Sequence, residues 1–291
     1  MRHCAFLTTD NLEGYVTDDE LALEPLAGLG WTVTAVPWRR RDVDWSRFEA
    51  VVIRTTWDYH LDADAFLRAL EAIDASGTRL ANPLPLVRWN ARKTYLRDLS
   101  SRGLPIVPTL WGTGLTAGDI QRLCGVLGAD EIVIKPVISA TAYDTYRVGR
   151  RHGEDAAAVA AVFAGREYMA QPFVASIVDE GEISLFYFGG EYSHAIRKTP
   201  RPDDFRVQEE HGGLIVPADP TDGLIDLGRR CLAALDHPTL QARVDLVRLA
   251  TGGHALMELE LVEPSLYFRM DPGAAGRFAR ALEAWVLSFH P

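Results

Sequence analysis

ARVDLVRLATGGHALMELELVEPS, residues Ala242–Ser265, is the stretch on which the architecture turns. Two β-rich runs, Arg243–Leu249 and Ala255–Val262, flank Thr251-Gly252-Gly253, a turn signal of the kind that joins antiparallel strands. A two-residue loop at Thr251-Gly252 sets Asp245 opposite Glu258, and a loop at Gly252-Gly253 sets it opposite Glu260. Glu258 and Glu260 share one face of their strand, because side chains alternate. Either register therefore brings Asp245, Glu258 and Glu260 together, with cross-strand neighbours only about 5 Å apart. Carboxylates at that spacing repel, or one of them takes a proton. A hard cation with oxygen ligands relieves the crowding, and Mg²⁺ or Mn²⁺ fits best. The alternative is a solvated acidic face. It is weakened by Val244, Leu246, Leu259 and Leu261, which form an apolar opposite face and pack this strand on a core.

The rest of the chain bounds what this hairpin serves. Its 291 residues suffice for two or three packed units, and the apolar content of 47% is that of a soluble globular protein. A net charge of −10 disfavours a non-specific nucleic-acid binder, which needs basic surface to displace counterions. Cys4, Cys124 and Cys231 are odd in number and widely spaced, so the expectation is a reducing cytoplasm without disulfides. The sequence shows no signal peptide and no apolar run of membrane-spanning length, so no membrane partner is expected.

Strand and helix signals alternate at the start: Cys4–Thr8, a helix over Glu20–Leu29, Trp31–Pro37, Ala50–Ile53 and a helix over Ala63–Ala75. This reads as a parallel α/β unit, whose ligands bind beyond the carboxyl ends of strands. Arg54, Thr55 and Asp58 fall there, beside Trp57. Asn82–Trp89 reads as a Pro-containing connection and Asn90–Ser101 as a helix with Lys93 in its first turn, an odd place for a cation. Lys135 ends the apolar run Glu131–Pro136, which aims its ammonium into a site, and the small-residue loop Ser139–Ala142 follows. Tyr168–Phe173 reads as an edge or hinge strand, because Pro172 lies near its end. Ile183–Phe188 and Tyr192–Ile196 form a hairpin around Gly189-Gly190 and run into Arg197-Lys198. Pro200–Gly213 is polar, carries Arg206 and suits a lid, and a last helix covers Ala274–Phe289.

The order of these parts resembles the ATP-grasp ligases. Ile134-Lys135-Pro136, the small-residue loop and Tyr146-Arg147-Val148 look like the lysine strand and phosphate loop of bacterial glutathione synthetase. Met169-Ala170-Gln171-Pro172-Phe173 with Gly181-Glu182 looks like its adenine hinge and ribose acid, and Asp245 with Glu258-Leu259-Glu260 like its metal triad. Within that superfamily, Arg54-Thr55-Thr56-Trp57-Asp58-Tyr59 and Glu263-Pro264-Ser265-Leu266-Tyr267-Phe268-Arg269-Met270-Asp271-Pro272 resemble the group that contains cycloserine synthetase, an O-ureido-D-serine cyclo-ligase of antibiotic biosynthesis. The resemblance implies an α/β (α+β) fold. A Rossmann-like pre-ATP-grasp domain would occupy 1–89, and a two-lobed ATP-grasp domain 90–291, its small lobe about 106–171 and its large lobe about 172–291.

It also implies roles. Lys93 and Lys135 would hold ATP phosphates, with Ser139 in the phosphate loop. Pro172 and Val174 would read the adenine edge through their backbone, with Gln171 and Phe173 beside them and Glu182 on the ribose. Asp245, Glu258 and Glu260 would hold two Mg²⁺ ions, with Mn²⁺ an alternative. Arg197 or Lys198, with Arg206, would neutralise the transferring phosphoryl group. Arg54 and Arg269 would grip a small amino-acid-like substrate through bidentate hydrogen bonds, near Thr55, Asp58 and Ser265. Two features depart from the family pattern: the phosphate loop lacks glycine, and Glu260 stands where asparagine is usual. The expected activity is an ATP-dependent carboxylate–amine ligase acting through an acylphosphate, within one molecule in a cyclising version. A peptide-modifying ligase and a catalytically silent nucleotide sensor are the alternatives, and the sequence leaves room for a homodimer.

Overall fold

The computed structural model describes residues 2–150 and 153–288. Its first unit is a parallel sheet of β1 (Arg2–Thr8), β2 (Trp31–Pro37), β3 (Ala50–Thr55) and β4 (Arg79–Ala81), in the order β2-β1-β3-β4. Helix α1 (Leu23–Gly28) follows a 3-10 turn, Asp19–Ala22, so the expected helix over Glu20–Leu29 is split. Helix α2 (Ala63–Ala75) begins where the Asp62 side chain accepts from the Ala65 amide at 3.0 Å. The strands are apolar without alternation because both faces are covered. Ala5, Leu7, Val51 and Ile53 pack with Phe66, Leu70 and Ile73 of α2. Cys4, Phe6, Ala50 and Val52 pack toward the C-terminal part of the chain.

The expected connection over Asn82–Trp89 is largely helical, as α3 (Leu84–Asn90). After a break comes α4 (Tyr95–Ser101), and Lys93 lies in that break, its amide donating to the Val137 carbonyl at 2.8 Å. The ammonium is thus clear of the helix's first turn, which removes the conflict with the helix dipole. An antiparallel sheet in the order β5-β8-β6-β7 comes next. It comprises β5 (Leu110–Thr113), β6 (Glu131–Pro136), β7 (Tyr146–Gly149) and β8 (Glu167–Pro172), covered by α5 (Ala117–Leu127) and α6 (Gly153–Val162). The expected edge strand, β8, is central. Pro172 is tolerated there because it is the last residue, where a missing amide costs no inner ladder bond.

The third sheet is antiparallel, in the order β11-β10-β9-β12-β13. After the short α7 (Ser176–Asp179) come β9 (Glu182–Phe188), β10 (Glu191–Thr199), β11 (Leu214–Pro217), α8 (Asp222–Ala233), β12 (Gln241–Arg248) and β13 (His254–Glu260). The last helix, α9, runs Ala274–Leu287, and the expected end at Phe289 lies outside the described residues. Leu185, Tyr187, Val244, Leu246, Leu259 and Leu261 form the apolar face and pack with residues of α4 and α8. On the other face Phe186 and Phe188 meet Phe278 of α9 and the N-terminal sheet.

The β12–β13 hairpin reaches its register by an unexpected route. Its loop spans 249–253, and Arg248 pairs with His254, which by itself would leave Asp245 opposite Met257. A β-bulge between Asp245 and Leu246 shifts the pairing by one, so that Asp245 faces Glu258. Without it Asp245 would stand across from the wrong face of β13. The outer edge of β13 is closed by side chains: Asn90 donates to Leu259 O at 2.8 Å and accepts from Leu261 N at 2.9 Å, and Tyr95 Oη accepts from Leu259 N at 2.8 Å. That satisfies polar groups that an open edge would expose.

Candidate active site

Strand alternation puts one polar face of the five-stranded sheet together. Lys198 pairs with Glu182, Ser184 with Asp245, Asp245 with Glu258, and Arg243 with Glu260. Gly181 makes the entry to β9 close enough: its φ is 91°, and a Cβ there would lie 2.7 Å from the Lys198 carbonyl oxygen. Lys198 Nζ lies 2.7 Å from Glu182 Oε1 and 3.5 Å from Asp245 Oδ2. Asp245 is 2% exposed. Its Oδ1 accepts from Ser184 Oγ at 2.6 Å and Arg243 Nε at 3.0 Å, and its Oδ2 from Arg243 Nη2 at 3.0 Å. Arg243 also pairs with Glu260, and Lys93 with Glu258.

These neighbours split the acids electrostatically. Against the cost of burial, Arg243 and Lys198 hold the Asp245 carboxyl down to about 2. Burial raises Glu260 to about 7 despite Arg243, with Glu258 and Asp245 adding repulsion. Burial and Glu260 push Glu263 up to about 8. The sheet face is short of positive charge, as its sequence implied. Among the described residues no group of three His, Cys, Asp or Glu side chains is placed to hold a metal ion by itself, and Lys93 and Arg243 are ion-paired to Glu258, Asp245 and Glu260. Glu258 and Glu260 line the open cleft and offer it hard oxygen donors beside two lysines, a donor set suited to a divalent cation bound with phosphates. Asp245 lies beneath them, with both oxygens engaged.

Two connected cavities flank this face. The first is lined by Gln171, Pro172, Phe173, Val174, Glu182 and Arg206, together with Lys135 and Glu258. The second runs past Lys93, Lys135, Ser139, Glu258, Glu260, Glu263 and Ser265. Lys135 is 9% exposed and makes no hydrogen bond or ion pair among the described residues, and burial lowers its pKa. A buried ammonium without a partner calls for an anion. The phosphate-loop candidate solves its lack of glycine by conformation: Thr141, Ala142 and Asp144 take positive φ of 49°, 56° and 49°. Left-handed backbone at such residues is costly and is held by the surroundings, here by the contact of His211 Nε2 with Thr141 O at 3.2 Å.

The structure brings together Lys93, Lys135, Ser139, Glu182, Lys198, Glu258 and Glu260, and the hinge residues Gln171–Val174 beside them. Of the other candidates, Arg54 and Thr55 line the crevice beyond the cleft, and Asp58 and Arg197 line neither cavity. Arg54 is 1% exposed and its guanidinium donates to Asp19 Oδ1 (2.6 Å), Gln241 Oε1 (2.9 Å) and Pro264 O (3.2 Å), so it ties β3 to the third sheet. Asp58 accepts from Trp38 Nε1 at 2.7 Å and from Arg39 at 3.1 Å, a local anchor outside the cleft lining. Arg197 is exposed, because alternation along β10 turns it away from Lys198. Thr55 spends its hydroxyl on Thr8 at 2.7 Å. Arg206 lines the hinge cavity while paired with Asp204 at 2.9 Å, and Arg269 bridges Asp18 and Glu209. Ser265 lies where the cleft meets a narrow crevice of about 10 Å³ lined by Asp18, Arg54, Thr55 and Arg269.

Sequence reasoning missed Arg243, Glu263 and Tyr267. Arg243 was within reach, since the alternation that joined the carboxylates puts it on Asp245's face. Glu263 and Tyr267 follow the end of β13, where no periodicity assigns a face.

A parallel sheet leading into a four-stranded and a five-stranded antiparallel sheet, with lysines and carboxylates in the cleft between them, is the plan of the ATP-grasp ligases. The family model of the D-cycloserine synthetase DcsG N-terminal domain matches residues 4–82. The cycloserine biosynthesis protein DcsG of Streptomyces lavendulae is 37% identical over 278 residues, covering 89% of this chain and 91% of that protein. The crystal structure of D-cycloserine synthetase DcsG superposes with a TM-score of 0.87 at 33% identity, over 98% of this chain and 99% of that one. A Bacillus anthracis D-alanine–D-alanine ligase complexed with ATP shares the fold, with a TM-score of 0.69 at 12% identity over 99% and 98% of the chains. The chain belongs to the D-cycloserine synthetase DcsG family.

Proposed function

We propose that the protein is an ATP-dependent ligase that phosphorylates the carboxylate of a small amino-acid-like molecule and joins it to a nitrogen of the same molecule, closing a ring. The observation that carries this reading is the continuity of the site. Lys135 and Glu258 line both the hinge cavity and the cleft, while Ser265, Trp57 and Tyr267 line both the cleft and the crevice beyond it. Adenine goes against the hinge, where the Val174 amide has no backbone acceptor among the described residues, with Gln171 and Phe173 alongside and Glu182 toward the ribose. Lys93, Lys135 and the Ser139 loop take the phosphates. Glu258 and Glu260, with Asp245 behind them, would hold Mg²⁺, which neutralises charge on the β- and γ-phosphates. In its finer form this reading has two ions, replaceable by Mn²⁺.

The substrate carboxylate attacks the γ-phosphorus and the bond to the bridging oxygen breaks, releasing ADP. The nitrogen then attacks the carbonyl carbon and phosphate leaves. The chain's own contribution is positioning and charge: Lys198 and Arg206 face the charge that develops in transfer, and the 200–213 segment, closed over the cleft through Gln208, excludes water from the acylphosphate. The substrate would occupy the cleft itself, toward the end that Ser265 and Tyr267 line. Residues 1–89 act as the substrate-side domain and 90–291 as the nucleotide-binding part. Three free, buried cysteines suit a reducing cytoplasm, and no helix among the described residues is long and apolar enough to cross a membrane. The test is ADP and phosphate release with Mg-ATP and O-ureido-D-serine, its L-isomer and D-serine. With the first, ADP is expected together with D-cycloserine, the carbamoyl group on the ring nitrogen being lost by hydrolysis as carbon dioxide and ammonia. A wild-type protein that releases no ADP with any amino acid or ureido compound is not this enzyme.

A further inference from the structure

Glu263 stands on the run of chain that links the two ends of the cleft. That run passes from Glu258 at the phosphate end, through Glu260 and Glu263, to Ser265 and Tyr267 at the mouth of the crevice. Glu263 lines the middle section with Trp57, Tyr59 and Lys93, and lines neither the hinge cavity nor the crevice. Of the acids along this section, Glu258 and Glu260 each have a cation, and Glu210 is exposed on the 200–213 segment. The Glu263 carboxylate is half-buried and makes no hydrogen bond or ion pair among the described residues. Its position is fixed on both sides: the Glu263 carbonyl accepts from Trp57 Nε1 at 3.0 Å, and Tyr267 beyond it takes a left-handed φ of 47°.

Lys93 and Arg243 attract this carboxylate only at a distance, each being ion-paired to another acid, so its own hydrogen-bonding capacity is left for a ligand in the cleft. On the ligase reading, on which this inference rests, the carboxylate to be phosphorylated lies beside Glu258 and Glu260. The α-nitrogen of an amino acid is two bonds from its carboxyl carbon, so it falls on the next section, toward the crevice. We propose that Glu263 recognises the substrate's α-ammonium and thereby selects free amino acids over compounds in which that amine is absent or acylated. Burial and the neighbouring Glu260 hold its carboxyl above the ordinary range, as suits an acid whose cation arrives with the ligand.

The test compares O-ureido-D-serine with its des-amino analogue, which lacks only the amine, in the wild type and in Glu263→Gln. Readouts are KM for the organic substrate, KM for ATP, and the Mg²⁺ concentration giving half-maximal rate. In the wild type, loss of the amine raises KM for the organic substrate about ten- to a hundred-fold, the span of a charge-assisted hydrogen bond. Glu263→Gln raises KM for the amino substrate to a similar extent and abolishes the discrimination, leaving KM for ATP and the Mg²⁺ midpoint in place. Discrimination that survives in Glu263→Gln overturns the proposal, and so does a shifted Mg²⁺ midpoint as its main effect, which assigns the carboxylate to the metal. Glu263→Asp, which keeps the charge on a shorter arm, restores part of the discrimination and carries the comparison if the glutamine variant does not fold. A wild type that turns over both compounds equally well removes this inference and leaves the ligase reading standing. A wild type that turns over neither removes both.

Discussion

Lys135 is where an apolar strand ends in a charge, and the two facts act on each other. The strand buries the ammonium and burial lowers its pKa; Glu258 attracts it across the cleft, but no side chain among the described residues is hydrogen-bonded or ion-paired to it. Lys135→Ala should therefore weaken ATP binding on the order of ten- to a hundred-fold, and Lys135→Arg less, because a guanidinium still meets phosphate. The nucleotide-free alanine variant should melt close to wild type, since relief of the ammonium's burial offsets the lost attraction to Glu258. Equal ATP affinity in calorimetry for wild type and alanine variant would set the phosphate role aside. Glu258 is the converse case. It is held below the usual carboxylate range by Lys93 and Lys135 against the cost of burial. Glu258→Gln should cut turnover by about a hundred-fold or more while circular dichroism stays native, because the cation loses a charged ligand. Wild-type rates at limiting Mg²⁺ would remove Glu258 from the metal site.

At the scale of elements, β13 is an edge strand whose alignment depends on residues far from it in sequence. Asn90 holds both Leu259 O and Leu261 N, the two groups that bracket Glu260. Asn90→Ala leaves both buried groups without a partner and should cost about 2–4 kcal/mol in denaturant unfolding, with a matching loss of turnover. A midpoint unchanged from wild type would show that water replaces both bonds at no cost. The 200–213 segment is polar, as its sequence suggested, yet it packs: Phe205 meets Phe173 edge-on with ring centroids 6.4 Å apart, Val207 is buried, and Arg269 pairs with Glu209. These few contacts allow opening at low cost. Mg-nucleotide should slow amide exchange across Pro200–Gly213 at least about tenfold, and identical exchange with and without nucleotide argues for an ordinary loop.

For the whole molecule, the charge crowded onto one sheet face sets a pH dependence. Glu260 and Glu263 titrate at about 7 and about 8 in the fold, against 4.5 for the ordinary carboxyl. Between about pH 4.5 and 8 these two acids therefore hold more protons in the metal-free folded state than in the unfolded one, and their contribution to stability falls as pH rises, while burial of His194, held down to about 4, acts the other way below pH 6.5. Asp245, held at about 2, contributes the opposite slope, but only below the window. Melting temperatures in chelator should thus decline from about pH 6.5 to pH 8, and Mg-ADP should flatten the decline by favouring the ionised acids. Parallel melting curves with and without Mg-ADP would mean that the cation does not meet these carboxylates.

The sequence by itself determined what local chemistry encodes. Period-two alternation put Asp245, Glu258 and Glu260 on one face, the apolar run before Lys135 delivered a buried cation, and β2 and α2 lay where their patterns put them. The ordered motifs carried the fold family. Only the tertiary structure decided which charges were free to act. Arg54 and Asp58 read as ligand residues because a strand end shows where a side chain starts. It does not show that Asp19, Gln241 or Arg39 will already be waiting for it. The bulge in β12–β13 and the neutralisation of Asp245 by Arg243 arise from pairing and packing across the sheet. Glu263 lies past the last paired residue of β13, where no period extends, so its place in the cleft depends on contacts such as that of Trp57 from the first sheet's loop. Periodicity fixes a face, and the partners that occupy it come from elsewhere in the chain.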